Sequence, residues 1–187
     1  MPLIAAGGRV KRLKQDLADM KALSEKCPAI KFRTIDDGDA PEKYEVSFYL
    51  RTIIDEENGE PIYREADSPT IISIDLSKEV SGYPFGGIKA QCITMPQPYH
   101  PNWFESGRWG GTIRSYRIIE PLAMQIIHIT KEIQFDLLTG IHCWSNCRAA
   151  DWCLKNIEGS AYFPCDASII PNYEEIYPSS TIFIKKG

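Results

Sequence analysis

The chain has 187 residues and a mass of 21.2 kDa, enough for one domain with a sizeable buried core. Hydrophobic residues make up 43% and charged residues 25%, values that exclude wholesale disorder. The net charge of −4 disfavours nucleic-acid binding, because phosphate neutralisation needs a basic excess. No apolar run is long enough for a membrane span. We therefore expect a single cytoplasmic domain over residues 1–187, with no nucleic-acid or membrane partner.

The six cysteines are unevenly distributed, because four of them lie between Cys143 and Cys165. The first residues lack the charged and apolar regions of a secretory signal, so we expect reduced cytosolic thiols. A zinc site is disfavoured because paired Cys-x2-Cys knuckles are missing from the candidate ligands, which are His142, Cys143, Cys147, Cys153 and Cys165. No metal or cofactor is therefore expected.

The first predicted element is a helix over residues 9–26. Apolar residues recur in it at intervals of three and four, which is typical of an amphipathic helix: Val10, Leu13, Leu17, Met20 and Leu23. Pro28 ends the helix, because the residue before a proline disfavours the helical region. Basic side chains lie away from the apolar stripe and form either a solvated face or a docking surface for an acidic partner.

Strands are predicted next, at residues 44–52, 70–76 and 88–95. Between the first two, Asn58-Gly59 lies in an acidic segment and is typical of a hairpin turn. A segment rich in Pro, Gly and Trp follows over residues 96–111. The strands are close enough in sequence to predict an antiparallel meander.

The second half of the sequence predicts helices. A long, largely buried helix begins at Pro121, runs through Leu138 and is closed by Gly140. Asn146 can cap a shorter helix over residues 147–157. Residues 181–184 are typical of a short edge strand. Helices that pack on an antiparallel sheet make an α+β fold.

Three motifs in this order resemble the ubiquitin-conjugating enzyme (UBC) family. Cys27-Pro28 resembles the step after the family's first helix, Tyr83-Pro84-Phe85 its turn between strands, and Tyr99-His100-Pro101-Asn102 its His-Pro-Asn signature. The similarity covers about residues 9–158 and leaves a divergent tail over residues 159–187. It implies a UBC-like α+β fold with an N-terminal helix, an antiparallel meander sheet and helices packed on it.

The resemblance also implies roles for individual residues. In that family the signature Asn helps to stabilise the oxyanion formed when an amine attacks a thioester, so Asn102 has either this role or a structural one. His100 is expected to hydrogen-bond within its loop. The family's nucleophilic cysteine follows the Asn by about eight residues, and Gly110 occupies that position here. Glycine has no nucleophile, so no thioester can form there.

Three explanations of Gly110 are open. The chain can be a cysteine-less variant that binds a modifier, a peptide or a partner conjugating enzyme. The nucleophile can have moved to Cys143, beside His142, or to Cys147 at a helix N-terminus, where thiol pKa values fall. Gly110 can also be an engineered replacement. Three other cysteines are expected to pack in the core and are not candidates for the nucleophile: Cys92, inside a predicted strand, and the later Cys153 and Cys165.

The resemblance finally implies partners. The family's first helix docks an activating enzyme or partner subunit, which implies this role for Lys11, Arg12 and Lys14. Ubiquitin or a ubiquitin-like modifier, and an activating enzyme or partner conjugating enzyme, are therefore the expected partners. Bacterial conjugation pathways vary in the same parts of the chain, so a bacterial origin and a eukaryotic origin both fit the sequence.

Overall fold

The structure is a computed structural model that describes residues 6–111, 114–115, 118–135, 145–156 and 162–176. The helices within these residues are α1 (Ala6–Lys26), α2 (Leu122–Ile133), α3 (Cys147–Asn156) and α4 (Tyr173–Ile176). The strands are β1 (Ile30–Thr34), β2 (Lys43–Phe48), β3 (Thr52–Glu57), β4 (Glu60–Arg64), β5 (Thr70–Asp75), β6 (Lys89–Cys92), β7 (Arg114–Ser115) and β8 (Ile118–Ile119). The N-terminal helix, the antiparallel sheet and the later helices confirm the predicted α+β fold class and its order of elements.

The main sheet has the strand order β1-β2-β5-β6, with every pair antiparallel. On β2, Tyr44, Val46 and Phe48 are buried and alternate with more exposed residues, as a half-buried strand requires. The strands predicted at the positions of β2, β5 and β6 are confirmed, although β2 ends at Phe48 instead of residue 52, where β3 begins, and β6 is shorter than residues 88–95. Strand β1 was missed because only its first residue, Ile30, is fully buried, which leaves little alternation to detect.

The hairpin predicted at Asn58-Gly59 is confirmed, and it joins β3 to β4. Asn58 has a φ of 54° and Gly59 a φ of 89°. Two successive residues with positive φ are what a tight turn of type I′ needs, because its twist matches that of the strands. The hairpin is separate from the main sheet.

Helix α2 is as buried as predicted but ends earlier, at Ile133 instead of Leu138. The chain leaves the helix at Phe135, which has a φ of 56°. This turn places the Phe135 side chain in a second, aromatic core, where it stacks on Phe163 with 5.2 Å between ring centroids. The predicted closing residue, Gly140, lies outside the described residues.

Helix α3 begins as predicted, because the Asn146 side-chain oxygen accepts the N–H of Ala149 at 3.0 Å. Cys92, Cys153 and Cys165 are buried, which confirms that they are packing residues. The strand predicted at residues 181–184 lies outside the described part of the chain. Among the described helices, none is both long and apolar enough to cross a membrane.

A buried carboxylate on α1 joins this helix to α2. Asp16 is fully buried, and its Oδ1 accepts the backbone N–H of Leu122 at 3.0 Å. The hydroxyl of Tyr83 donates to Oδ2 at 2.8 Å, and Arg12 Nε donates to Oδ1 at 3.3 Å. Pro121, the N-cap of α2, provides no side-chain cap. Asp16 therefore caps α2 from a distant part of the chain.

We expect Asp16→Ala to lower the free energy of unfolding by about 3 kcal/mol, because it leaves buried donors on Tyr83 and Leu122 without an acceptor. Urea denaturation measures the loss. Glu25→Ala, an exposed change on the same helix, is the control and should cost no more than about 0.5 kcal/mol. Equal losses for the two variants would contradict the capping role.

Candidate functional site

The His-Pro-Asn signature forms a buried turn. His100 Nδ1 accepts the backbone N–H of Asn102 at 3.1 Å, and the carbonyl of His100 accepts the N–H of Trp103 at 3.0 Å. The His100 ring also meets Phe135 edge to face, with 5.1 Å between centroids. These contacts fit a structural role for His100 within its loop.

Asn102 has no exposed surface. Its side-chain amide donates to Glu132 Oε1 at 2.7 Å, and its backbone carbonyl accepts the N–H of Gly110 at 2.8 Å. The amide is therefore engaged with a buried carboxylate inside the protein. Of the two roles that the sequence left open, this geometry favours the structural one, because an oxyanion needs a donor aimed at it.

Glu132, on α2, is the site residue that the sequence analysis missed. It is fully buried, and Oε2 accepts Trp109 Nε1–H at 2.9 Å while His128 Nε2 lies 3.0 Å from Oε1. Burial raises the pKa of Glu132, but the neighbouring His128 and the Asn102 amide lower it more. The net shift is downward, so the carboxylate stays ionised. The sequence feature that could have identified Glu132 is its place four positions after a histidine on a predicted apolar helix.

The segment after Trp109 passes directly over this carboxylate. A Cβ added to Gly111 would lie 2.6 Å from Trp109 Nε1 and 2.8 Å from Glu132 Oε1. Such distances are too short for any side chain, so only glycine fits at this position. Gly111 is therefore required by packing, whereas its neighbour Gly110 is exposed.

Gly110 lies in a groove of about 550 Å³, which we call the Gly110 groove. Its described lining comprises Val80, Ser81, Gly86, Gly87, Ile88, Lys89, Phe104, Arg108, Trp109, Gly110 and Ser145. The groove thus combines apolar side chains, glycines and two cations. Among these residues, the only hydroxyl groups are those of Ser81 and Ser145, and none of the eleven is a cysteine.

The described cysteines differ sharply in their surroundings. Burial raises the pKa of Cys92 to about 11 and the pKa of Cys153 and Cys165 to about 12. These three thiols are protonated at neutral pH and are poor nucleophiles. Cys147 alone among the five described cysteines is exposed, at the first residue of α3. Cys143 lies outside the described residues.

The start of α3 lies against the signature turn, because the N–H of Asn146 donates to the carbonyl of Pro101 at 3.1 Å. Cys147 therefore follows a residue that contacts this turn. His142 lies outside the described residues. Within the described part of the chain, no three His, Cys, Asp or Glu side chains converge as metal ligands.

The predicted docking residues on α1 differ from one another. Lys11 and Lys14 are exposed, and Lys14 Nζ lies 2.5 Å from Asp39 Oδ2 in a surface ion pair. Arg12 is half-buried, and its guanidinium pairs with Asp16 and donates to the carbonyl of Ile119 at 3.0 Å. Arg12 therefore has contacts within the fold, and docking by Lys11, Arg12 and Lys14 stays a prediction, with Lys11 and Lys14 as the more exposed of the three.

The comparison with solved structures finds a likeness to the crystal structure of the ubiquitin-conjugating enzyme E2 UbcA1 from Agrocybe aegerita. The two chains share 15% sequence identity with a TM-score of 0.41, over 83% of this chain and 97% of that one. No family model matches the sequence, and the comparison with curated proteins finds no match. At this identity the likeness concerns the fold.

We expect the stabilisation from Glu132 to depend on pH. Because its folded-state pKa is lowered, the contribution is complete above the ordinary carboxyl pKa and is lost as the pH falls through the folded-state value. Glu132→Gln should cost about 3 kcal/mol at neutral pH, since a neutral amide presents donors to Asn102 and Trp109. This difference from wild type should shrink in acid, as measured by urea denaturation across pH.

The matched control is Glu79→Gln, which changes an exposed carboxylate. Its effect on the free energy of unfolding should stay within about 0.5 kcal/mol at every pH. A cost of Glu132→Gln that does not change with pH would contradict the ionised state of the buried carboxylate.

Proposed function

We propose that the chain is a UBC-like component of a ubiquitin or ubiquitin-like transfer pathway that binds its partners without forming a thioester at Gly110. The observation that carries the proposal is Gly110 itself, an exposed residue without a nucleophile at the position where the resemblance places one. The Asn102 amide adds support, because its bond to Glu132 removes a donor from the groove. The Gly110 groove then serves as a binding surface for a modifier or a peptide.

A displaced nucleophile is the second candidate. It is favoured by the exposure of Cys147 at the first residue of α3. The hydrogen bond from Asn146 to Pro101 brings the start of this helix to the signature turn. Cys143 belongs to the same hypothesis, which the sequence raised for both cysteines.

An adduct assay separates the two functions. We incubate the chain with ATP and a panel of ubiquitin-like modifiers, each with its activating enzyme, and examine the product by intact mass. The binding function predicts no reductant-sensitive adduct for the wild type, because Gly110 presents no nucleophile. Gly110→Cys should acquire such an adduct if the rest of the docking machinery is intact.

The cysteine variants are the controls for this assay. A wild-type adduct that disappears in Cys147→Ala or in Cys143→Ala would establish a displaced nucleophile and refute the non-catalytic function. An adduct that survives both changes would point to a buried cysteine, which the raised pKa values of Cys92, Cys153 and Cys165 argue against.

We further propose that Lys11 and Lys14 dock an activating enzyme or partner conjugating enzyme. Both residues line an open recess of about 400 Å³ together with Val10 and Gln15, and Val10 is 45% exposed although it is apolar. A recess with two cations and an apolar side chain suits an acidic partner surface.

Reversal of both charges in Lys11→Glu/Lys14→Glu should weaken binding to the activating or partner conjugating enzyme roughly tenfold at low salt. The effect is of this size because each exposed ion pair between a lysine and an acidic residue of the partner contributes modestly. Isothermal titration measures the affinity. Lys31→Glu reverses an exposed charge on β1 and serves as the control. Unchanged affinity of the double variant at low ionic strength would refute this docking surface.

A further inference from the structure

Strand β1 is an open edge of the main sheet, because β2 is its single neighbour in the described structure. Antiparallel strands bond through alternate residues, and the N–H of Ile35 donates to the carbonyl of Lys43 at 2.9 Å. The odd-numbered residues of β1 therefore bond to β2, and the backbone N–H and C=O groups of Phe32 and Thr34 point away from it. Among the described residues, none bonds to these groups. Such an edge is a template for a further strand.

This edge offers apolar surface on both of its faces. Phe32 is half-buried and packs against the core on the inner face of the sheet. Ile35 continues the alternation on the outer face and is 52% exposed. A strand that covers the edge therefore needs apolar side chains on both of its own faces.

The end of α4 lies close to the start of β1. Lys26 Nζ donates to the carbonyl of Ile176 at 2.8 Å, and Ser24 Oγ donates to the carbonyl of Ile30 at 2.9 Å. The last turn of α1 therefore contacts both the last residue of α4 and the first residue of β1. Residues 177–180 can span about 13 Å when extended, so the segment that follows them is within reach of the edge.

The sequence of residues 181–184 has the pattern that the edge requires. In a strand, Ile182 and Ile184 lie on one face and Phe183 lies on the other. The sequence by itself indicates a short edge strand here. Its two apolar faces match the two apolar faces of the open edge.

Charge gives the direction of the added strand. Lys185 and Lys186 follow the apolar residues directly. The segment after β1 carries Asp37, which is exposed and has no hydrogen bond or ion pair within the described residues, and Asp39, which pairs with Lys14. A strand that runs from the start of β1 toward its end, parallel to it, brings the two lysines to these carboxylates.

We propose that residues 181–184 add to the open edge as a fifth strand, parallel to β1, with Ile182 opposite Phe32. In a parallel pair one residue bonds to the two neighbours of the residue opposite, so the N–H and C=O of Phe32 bond to the backbone on either side of Ile182. Ile182 covers the Phe32 ring, and Phe183 lies on the outer face with Ile35. The added strand closes the edge to other chains. This inference is independent of the proposed function.

Backbone amide hydrogen exchange of the full chain, followed by NMR, tests the added strand. The amides of Phe32 and Thr34, which we call the edge amides, should be protected. Phe183→Pro should raise their exchange rates roughly tenfold, because proline removes the N–H that bonds to Phe32. The amides of Lys31 and Arg33 face β2 and should stay protected in every variant, which shows that the sheet is intact.

The matched control is Ser179→Pro, which places a proline before the added strand and should leave the edge amides protected. Lys185→Glu/Lys186→Glu should accelerate exchange of the edge amides, because the reversed charges are repelled by Asp37 and Asp39. Asp37→Lys in the background of the two glutamates should restore part of the protection, since the ion pair then forms with its charges exchanged.

Edge amides that exchange equally fast in the wild type and in Phe183→Pro would overturn the proposal. Equal acceleration by Phe183→Pro and Ser179→Pro would do the same, because the effect would not depend on the pairing. Residues 181–184 of a second copy could also protect the edge, but that protection would fall on dilution. The proposal requires exchange rates that do not change with protein concentration, and a loss of protection on dilution contradicts it.

Discussion

The site depends on one buried charge, the carboxylate of Glu132. A carboxylate without solvent is stable only when donors surround it, and here Asn102 and Trp109 donate to it while His128 Nε2 lies 3.0 Å away. This requirement fixes the signature turn and the segment after Trp109 against α2. It also explains Gly111, where a Cβ would collide with the same carboxylate. The position of the groove follows from these contacts.

A second buried carboxylate acts on the other end of the same helix. Asp16 accepts the first N–H of α2, while Glu132 lies near the helix's last residue, Ile133. Most other residues of the helix are buried, so packing also contributes to its orientation. Hydrogen bonds have a direction and a narrow range of length, which packing lacks. Two carboxylates therefore set the position of α2 against α1 and the signature turn.

The arrangement that builds the groove also limits its chemistry. The Asn102 amide is held by Glu132, and Gly110 presents no nucleophile. What the groove does present is Lys89 and Arg108 beside apolar side chains, glycines and two serines. Such a surface is suited to recognition, because exposed apolar area and unpaired charge both gain from a partner. These features support the proposed binding function.

Local patterns in the sequence determined the elements whose stability is local. Periodicity predicted α1 and the alternating strand β2, and Asn58-Gly59 predicted the hairpin, because these features depend on neighbouring residues. The resemblance also located the signature turn and Gly110. Only the tertiary structure decided the roles of Asp16 and Glu132, since their partners are distant: Leu122 is 106 residues from Asp16, and Asn102 is 30 from Glu132. No pattern along the chain specifies which donors will contact a buried carboxylate. Those contacts determine the position of α2 and of the groove.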